Sequence, residues 1–210
     1  MIDRQPLDAL LADIGACTLC ARHLPLGPRP VVRVSPSARI LIVGQAPGTR
    51  VHETGIPWND RSGERLRHWL ALPPDLFYDE TRIAIVPSGF CYPGVDPKGG
   101  DKPPRPECAP LWHPKILPHL RERRLTLLVG LYAQRYYLGM SRGRTMTETV
   151  ARFSEVLPDF FPLPHPSWRS TGWLRRNPWF EADVLPVLRA RVADALDLPA
   201  PAALPVEAQP

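Results

Sequence analysis

A chain of 210 residues with 44% apolar residues can bury one substantial core. It has no apolar run approaching a membrane span, so it is expected to be soluble. Lys and Arg number 26 against 21 Asp and Glu, a net charge of +5, too small to mark a polybasic tail. The excess is concentrated in Trp112 to Arg144, where seven basic side chains meet only Glu122, and in His165 to Arg176, where Arg169, Arg175 and Arg176 meet no acid. Charge alone leaves a solvated basic face and a nucleic-acid footprint equally open.

The N-terminal MIDRQPLDALLADIG is a short amphipathic pattern with acids inside it, unlike a charged segment followed by a purely apolar one and a cleavage site. A cytoplasmic protein is expected. Leu7 to Ile14 predicts a helix running into Cys17-Thr18-Leu19-Cys20. Ile40 to Val43 is an apolar run that breaks at once into Gly44-Gln45-Ala46-Pro47-Gly48, the pattern of a strand buried on both faces. Further strands are predicted at Ile83 to Val86, Leu125 to Val129 and Phe160 to Leu163. Helical spacing fills the intervals at Gly63 to Leu70, Ala109 to Arg121, Tyr132 to Leu138, Thr147 to Phe153 and Trp179 to Leu196. This alternation predicts an α/β fold with a parallel sheet covered on both faces. The final PAPAALPVEAQP is expected to be a disordered tail from residue 199 onward, after a single domain spanning residues 1–198.

Ligands in such sheets bind beyond the carboxyl ends of the strands. The loop after the first strand carries Gln45, Trp58, Asn59 and Asp60 there, and the loop after the fourth carries His165 between two prolines. A histidine so placed is held in a stiff extended segment. The plainer alternatives are that Trp58 is a core aromatic and that Asp60 caps the following helix. Four cysteines, Cys17-x2-Cys20 and Cys91-x16-Cys108, bracket the rest, and the second pair flanks a loop long enough to need a functional or metal-bound reason. Four thiolates suit one metal site in a chain with little use for disulfides. Spacing alone does not separate zinc from a 4Fe-4S cluster.

Taken together these residues resemble the uracil-DNA glycosylase superfamily. The resemblance is carried by GQAPG at Gly44 to Gly48, by Thr54-Gly55-Ile56-Pro57-Trp58, and by His165-Pro166-Ser167-Trp168-Arg169, in that order, over Leu7 to Leu196. Cys17, Cys20, Cys91 and Cys108 are similar in order and approximate spacing to the ligands of the iron-sulfur class, family 4, and its family 5 relatives. The resemblance implies a three-layer α/β/α domain around a four-stranded parallel sheet, a 4Fe-4S cluster in place of zinc, and a DNA partner containing a deaminated base. It also implies a monofunctional enzyme that flips the base out of DNA and hydrolyses its N-glycosidic bond.

Site roles follow from the same resemblance. His165 would donate to the departing base and Asp60 would face the sugar, with Gln45 also in the catalytic loop. Trp58 would stack on the base, and Gln45, Ala46 and Ser88 would contact it. Ser167, Trp168 and Arg169 would press into DNA, whereas Trp173 is expected in the core. Two departures stand out. Gln45 and Ala46 occupy positions where some classes carry a catalytic acid, and Pro87 stands four positions before the third cysteine, where the family's uracil-reading Asn belongs. They motivate two alternatives: a noncatalytic iron-sulfur DNA-binding protein of the same fold, and a zinc-bound nucleotide hydrolase using Asp60 and His165.

Overall fold

In the computed structural model, residues 6–97 and 99–199 are described. Most of the expected tail therefore lies outside the described residues. Four strands, β1 (Ile40–Val43), β2 (Ile83–Ile85), β3 (Leu125–Val129) and β4 (Phe160–Leu163), form one sheet in the order β2-β1-β3-β4. Every pairing is parallel, with Ile40 beside Ile83 and Leu125, and Thr126 beside Phe160. All four strands therefore point their carboxyl ends to one edge. The chain leaves β1 toward β2 on one side and returns to β3 on the other, so the order of connection reverses between β1 and β3, the place where ligands bind in such sheets.

The strands are apolar apart from the buried Thr126 of β3 because both faces are covered. Ile40, Ile42, Ile83, Ile85, Leu127 and Phe161 face one core, which is closed by α3 (Arg61–Leu70) and α9 (Leu185–Ala195). The alternate residues Leu41, Val43, Ala84 and Leu128 face a second core. That core is closed by α1 (Leu7–Gly15), α5 (Cys108–Ile116) and α6 (Leu131–Leu138). A period of two along each strand thus feeds two helical layers, the expected three-layer α/β/α arrangement.

Several helix ends differ from the periodicity. The segment expected to be helical to Arg121 leaves the α-conformation after Ile116 and tightens into a 3₁₀ turn at Leu117–His119, where Pro118 supplies no N–H for the ladder. The last helix begins as a π-turn at Phe180–Val184 before α9, because Pro186 cannot donate back along the helix. Short helices appear that no period could announce: α2 (Thr49–Thr54), α4 (Pro74–Phe77) and α8 (Thr171–Arg176). The predicted Thr147 to Phe153 helix is α7 (Met146–Ala151), capped by Thr145. Trp173 packs against the first core and donates its indole N–H to Thr147 Oγ1 at 2.7 Å. No helix among the described residues is long and apolar enough to cross a membrane.

Candidate active site

A cavity of about 440 Å³ opens at the carboxyl edge of the sheet. Its walls come from the GQAPG loop after β1, the Pro57 to Ser62 stretch, Pro87 after β2 and the HPSWR loop after β4. Trp58 is the residue around which these parts are fitted. Its backbone stands at φ 56°, a left-handed conformation that a bulky side chain adopts only when its surroundings impose it. Three constraints do so. The Trp58 carbonyl accepts from Arg67 Nη1 and from the Tyr78 hydroxyl, each at 3.2 Å. The indole lies over Gly44, where a Cβ would come within 2.7 Å of Cζ2. The carbonyl itself sits over Gly63, where a Cβ would stand 1.7 Å away. The two glycines are thus required by close approach rather than by turn geometry.

His165 packs beside Trp58 on the cavity wall, with ring centroids 5.7 Å apart and planes inclined by 35°. Its loop is held from outside. Ser170 Oγ donates to the His165 carbonyl, and Arg65 of α3 donates to the Ser167 carbonyl at 2.8 Å. The imidazole is enclosed on most sides yet keeps an accessible edge toward the cavity. Enclosure lowers its pKa to about 4, and the nearby Asp60 carboxylate offsets only part of that. At neutral pH the ring is therefore uncharged and donates through one nitrogen.

Asp60 satisfies both readings of its sequence position. Its Oδ1 accepts the Gly63 N–H at 2.8 Å, making it the N-cap of α3, and it also lines the cavity. Gln45 lines the cavity too; its amide Nε2 reaches the Lys102 carbonyl at 3.5 Å, and its own carbonyl accepts the Gly89 N–H. Ala46, Ser167, Trp168 and Arg169 complete the set, with Trp168 76% exposed at the mouth and Arg169 stacked over its ring at 5.5 Å.

One residue expected to contact the base does not line the cavity. Ser88 is buried and donates its hydroxyl to the Gly44 carbonyl at 2.9 Å, pinning β1 to the β2 exit, and neither it nor Asn59 is among the cavity-lining residues. Pro87 does line the wall. Its carbonyl accepts from Nε2 of the buried His113, whose Nδ1 then accepts from the Tyr137 hydroxyl at 2.8 Å. Sequence reasoning missed Asp101. It reaches the cavity from the loop between Cys91 and Cys108, and nothing in its local pattern singles it out.

The Cys17–Cys20 pair and the distant Cys91 and Cys108 line one small cavity with Phe90, Arg105 and Trp112. As they stand, no three His, Cys, Asp or Glu side chains among the described residues form a set that could hold a metal ion. The chemistry of the donors nevertheless fits a thiolate-bound group. Burial raises the thiols of Cys20, Cys91 and Cys108, the last to about 12, and the cysteines add to one another's shifts. A bound cation would relieve that mutual repulsion. The Phe90 N–H already donates to Cys108 Sγ at 3.3 Å, the kind of contact that supports a metal-bound sulfur.

The four-stranded parallel sheet between two helical layers is the architecture that a match to one family model supports. The model of the Uracil DNA glycosylase superfamily matches residues 32–189, from before β1 into α9 and across both the GQAPG and HPSWR loops that line the cavity, and the chain belongs to that superfamily.

Proposed function

We propose that this protein is a monofunctional DNA glycosylase that flips uracil or a related deaminated base out of DNA and hydrolyses the bond between base and sugar. The observation that carries this reading is the adjacent pair of rings, Trp58 and His165, with Asp60 beside them in one cavity at the strand ends. A base extruded into that cavity lies against the Trp58 indole, where stacking is worth about 1–3 kcal/mol. As the glycosidic bond lengthens, negative charge gathers on the base and positive charge on the sugar. The neutral His165 donates a hydrogen bond to the first, as an uncharged imidazole in a buried site can. The Asp60 carboxylate lies on the side of the second. The backbone amides of Gln45 and Ala46 border the same space, Trp168 and Arg169 meet the DNA beyond it, and the basic segments add salt-sensitive affinity. Pro87 offers no side-chain donor or acceptor where a base edge would be read, so base choice is expected to be broad.

Cys17, Cys20, Cys91 and Cys108 would hold a 4Fe-4S cluster, with zinc the alternative occupant. Such a cluster would act as a structural tie between α1, α5 and the loop that carries Asp101.

The test is excision from labelled single-stranded and duplex oligonucleotides containing uracil, hypoxanthine or xanthine, using anaerobically purified protein and alkaline cleavage at abasic sites. Cleavage at any of these bases, lost in His165→Ala, is the expected result. Tight DNA binding with no cleavage at any base would overturn this reading in favour of a noncatalytic DNA-binding protein.

A further inference from the structure

The loop between Cys91 and Cys108 delivers a carboxylate to the cavity. An antiparallel bridge between Val95 and Asp101 closes it into a small hairpin, with the Asp96 N–H donating to the Gly100 carbonyl at 2.7 Å and the Lys102 N–H to the Gly94 carbonyl at 2.8 Å. Gly100 and Asp101 lie between the first and last motif loops. Asp101 Oδ2 lies against Gly48, where a Cβ would stand 3.4 Å from it. Arg169 lies across Gly100 so closely that a Cβ there would meet the guanidinium at 2.6 Å. The carbonyl of the next residue, Lys102, faces the Gln45 amide.

Asp60 and Asp101 differ in what they have to offer a water molecule. One oxygen of Asp60 is committed to the Gly63 N–H. The Asp101 carboxylate accepts no hydrogen bond in the described structure and stands at the rim, where water arrives. Gln45, in the loop between them, has no group able to take a proton at neutral pH.

We propose that Asp101 is the general base of the reaction, taking the proton of the attacking water, while Asp60 caps α3 and stabilises the positive charge on the sugar. This inference rests on the glycosylase reading of the site. In the step, the water oxygen bonds to C1′ of the sugar as the bond from C1′ to the base nitrogen breaks, its electron pair leaving with the base. One water proton passes to Asp101, which returns it to solvent at the mouth, and the base anion takes a proton from solvent.

Partial burial and the field of Asp60 raise Asp101 above the usual carboxylate range, against the pull of Arg169, which makes it a better proton acceptor than a free carboxylate. The charged groups that act on it are Asp60 at the start of α3 and Arg169 on the last motif loop, while His165 lines the same cavity and Lys102 follows it in the chain. The GQAPG loop presents none.

Single-turnover excision by the wild type, Asp101→Asn, Asp101→Glu and Asp60→Asn, followed from about pH 5 to 9, tests the assignment. DNA affinity is measured alongside by fluorescence anisotropy. Asp101→Asn is expected to keep its circular dichroism and its DNA affinity, to lose about 10²–10⁴-fold in rate and to lose the acidic limb of the profile. Asp101→Glu should recover part of the rate. An Asp101→Asn rate within about threefold of wild type, or a loss that follows DNA affinity alone, overturns the assignment while leaving the glycosylase reading in place. A wild type that excises none of the three bases overturns both.

Discussion

Acidifying the protein should cost stability through His165, by an amount the cavity sets. The folded-state pKa is about 4 against an ordinary value of 6.5. Between those values the unfolded chain binds a proton that the folded one refuses, so stability present above pH 6.5 is lost as the pH falls and the loss is complete near pH 4. The difference in pKa corresponds to about 3 kcal/mol over the window. The buried His113, whose pKa burial also lowers, adds a loss of the same sign, as does any acid lability of a bound metal group. Comparison with His165→Gln, which cannot titrate, removes both, because the two proteins share them. Denaturant unfolding of the pair at about pH 7, 6, 5 and 4 should show the wild type losing about 3 kcal/mol relative to the variant. A difference that stays constant within about 0.5 kcal/mol would refute the buried neutral imidazole, and with it the view that His165 donates to the departing base as an uncharged ring.

Two further outcomes test the architecture. Gly63→Ala places a methyl group 1.7 Å from the Trp58 carbonyl. It should destabilise by about 1–3 kcal/mol despite the roughly 1 kcal/mol by which Ala outranks Gly in a helix. Gly15→Ala, with open space at its Cβ position, is the control in a melting experiment, and equal behaviour of the two would show that Trp58 is not held as described. Protein purified without oxygen should absorb near about 400 nm, and Cys108→Ser should bleach that band and open the loop from Cys91 to Glu107 to limited proteolysis. A colourless wild type carrying zinc by metal analysis would replace the cluster with a single ion.

Much of the fold and part of the site could be read without coordinates because they rest on local pattern. Strands β1, β3 and β4 are apolar runs, broken only by Thr126, that are bounded by Gly, Pro or charge, the pattern of strands buried on both faces. His165 and Trp58 were placed by short motifs with prolines that stiffen them. Asp60 was legible twice over, and the structure keeps both readings, the cap and the cavity wall. The short helices α2, α4 and α8 complete too few turns for a period to register, although α7, equally short, is legible from its apolar spacing.

Tertiary structure alone decided the rest. The left-handed Trp58 is imposed by Arg67, Tyr78 and two glycines that meet it from separate elements. A hydroxyl beside a predicted pocket, Ser88, proved to serve a strand carbonyl. Asp101 entered the site because the loop between two cysteines folds back onto motif loops from both ends of the domain. Backbone strain, hydrogen-bond partners and the reach of a long loop depend on atoms distant in the chain. A sequence ordered along one dimension states what each residue can do, and only the packed chain fixes which of those things it does.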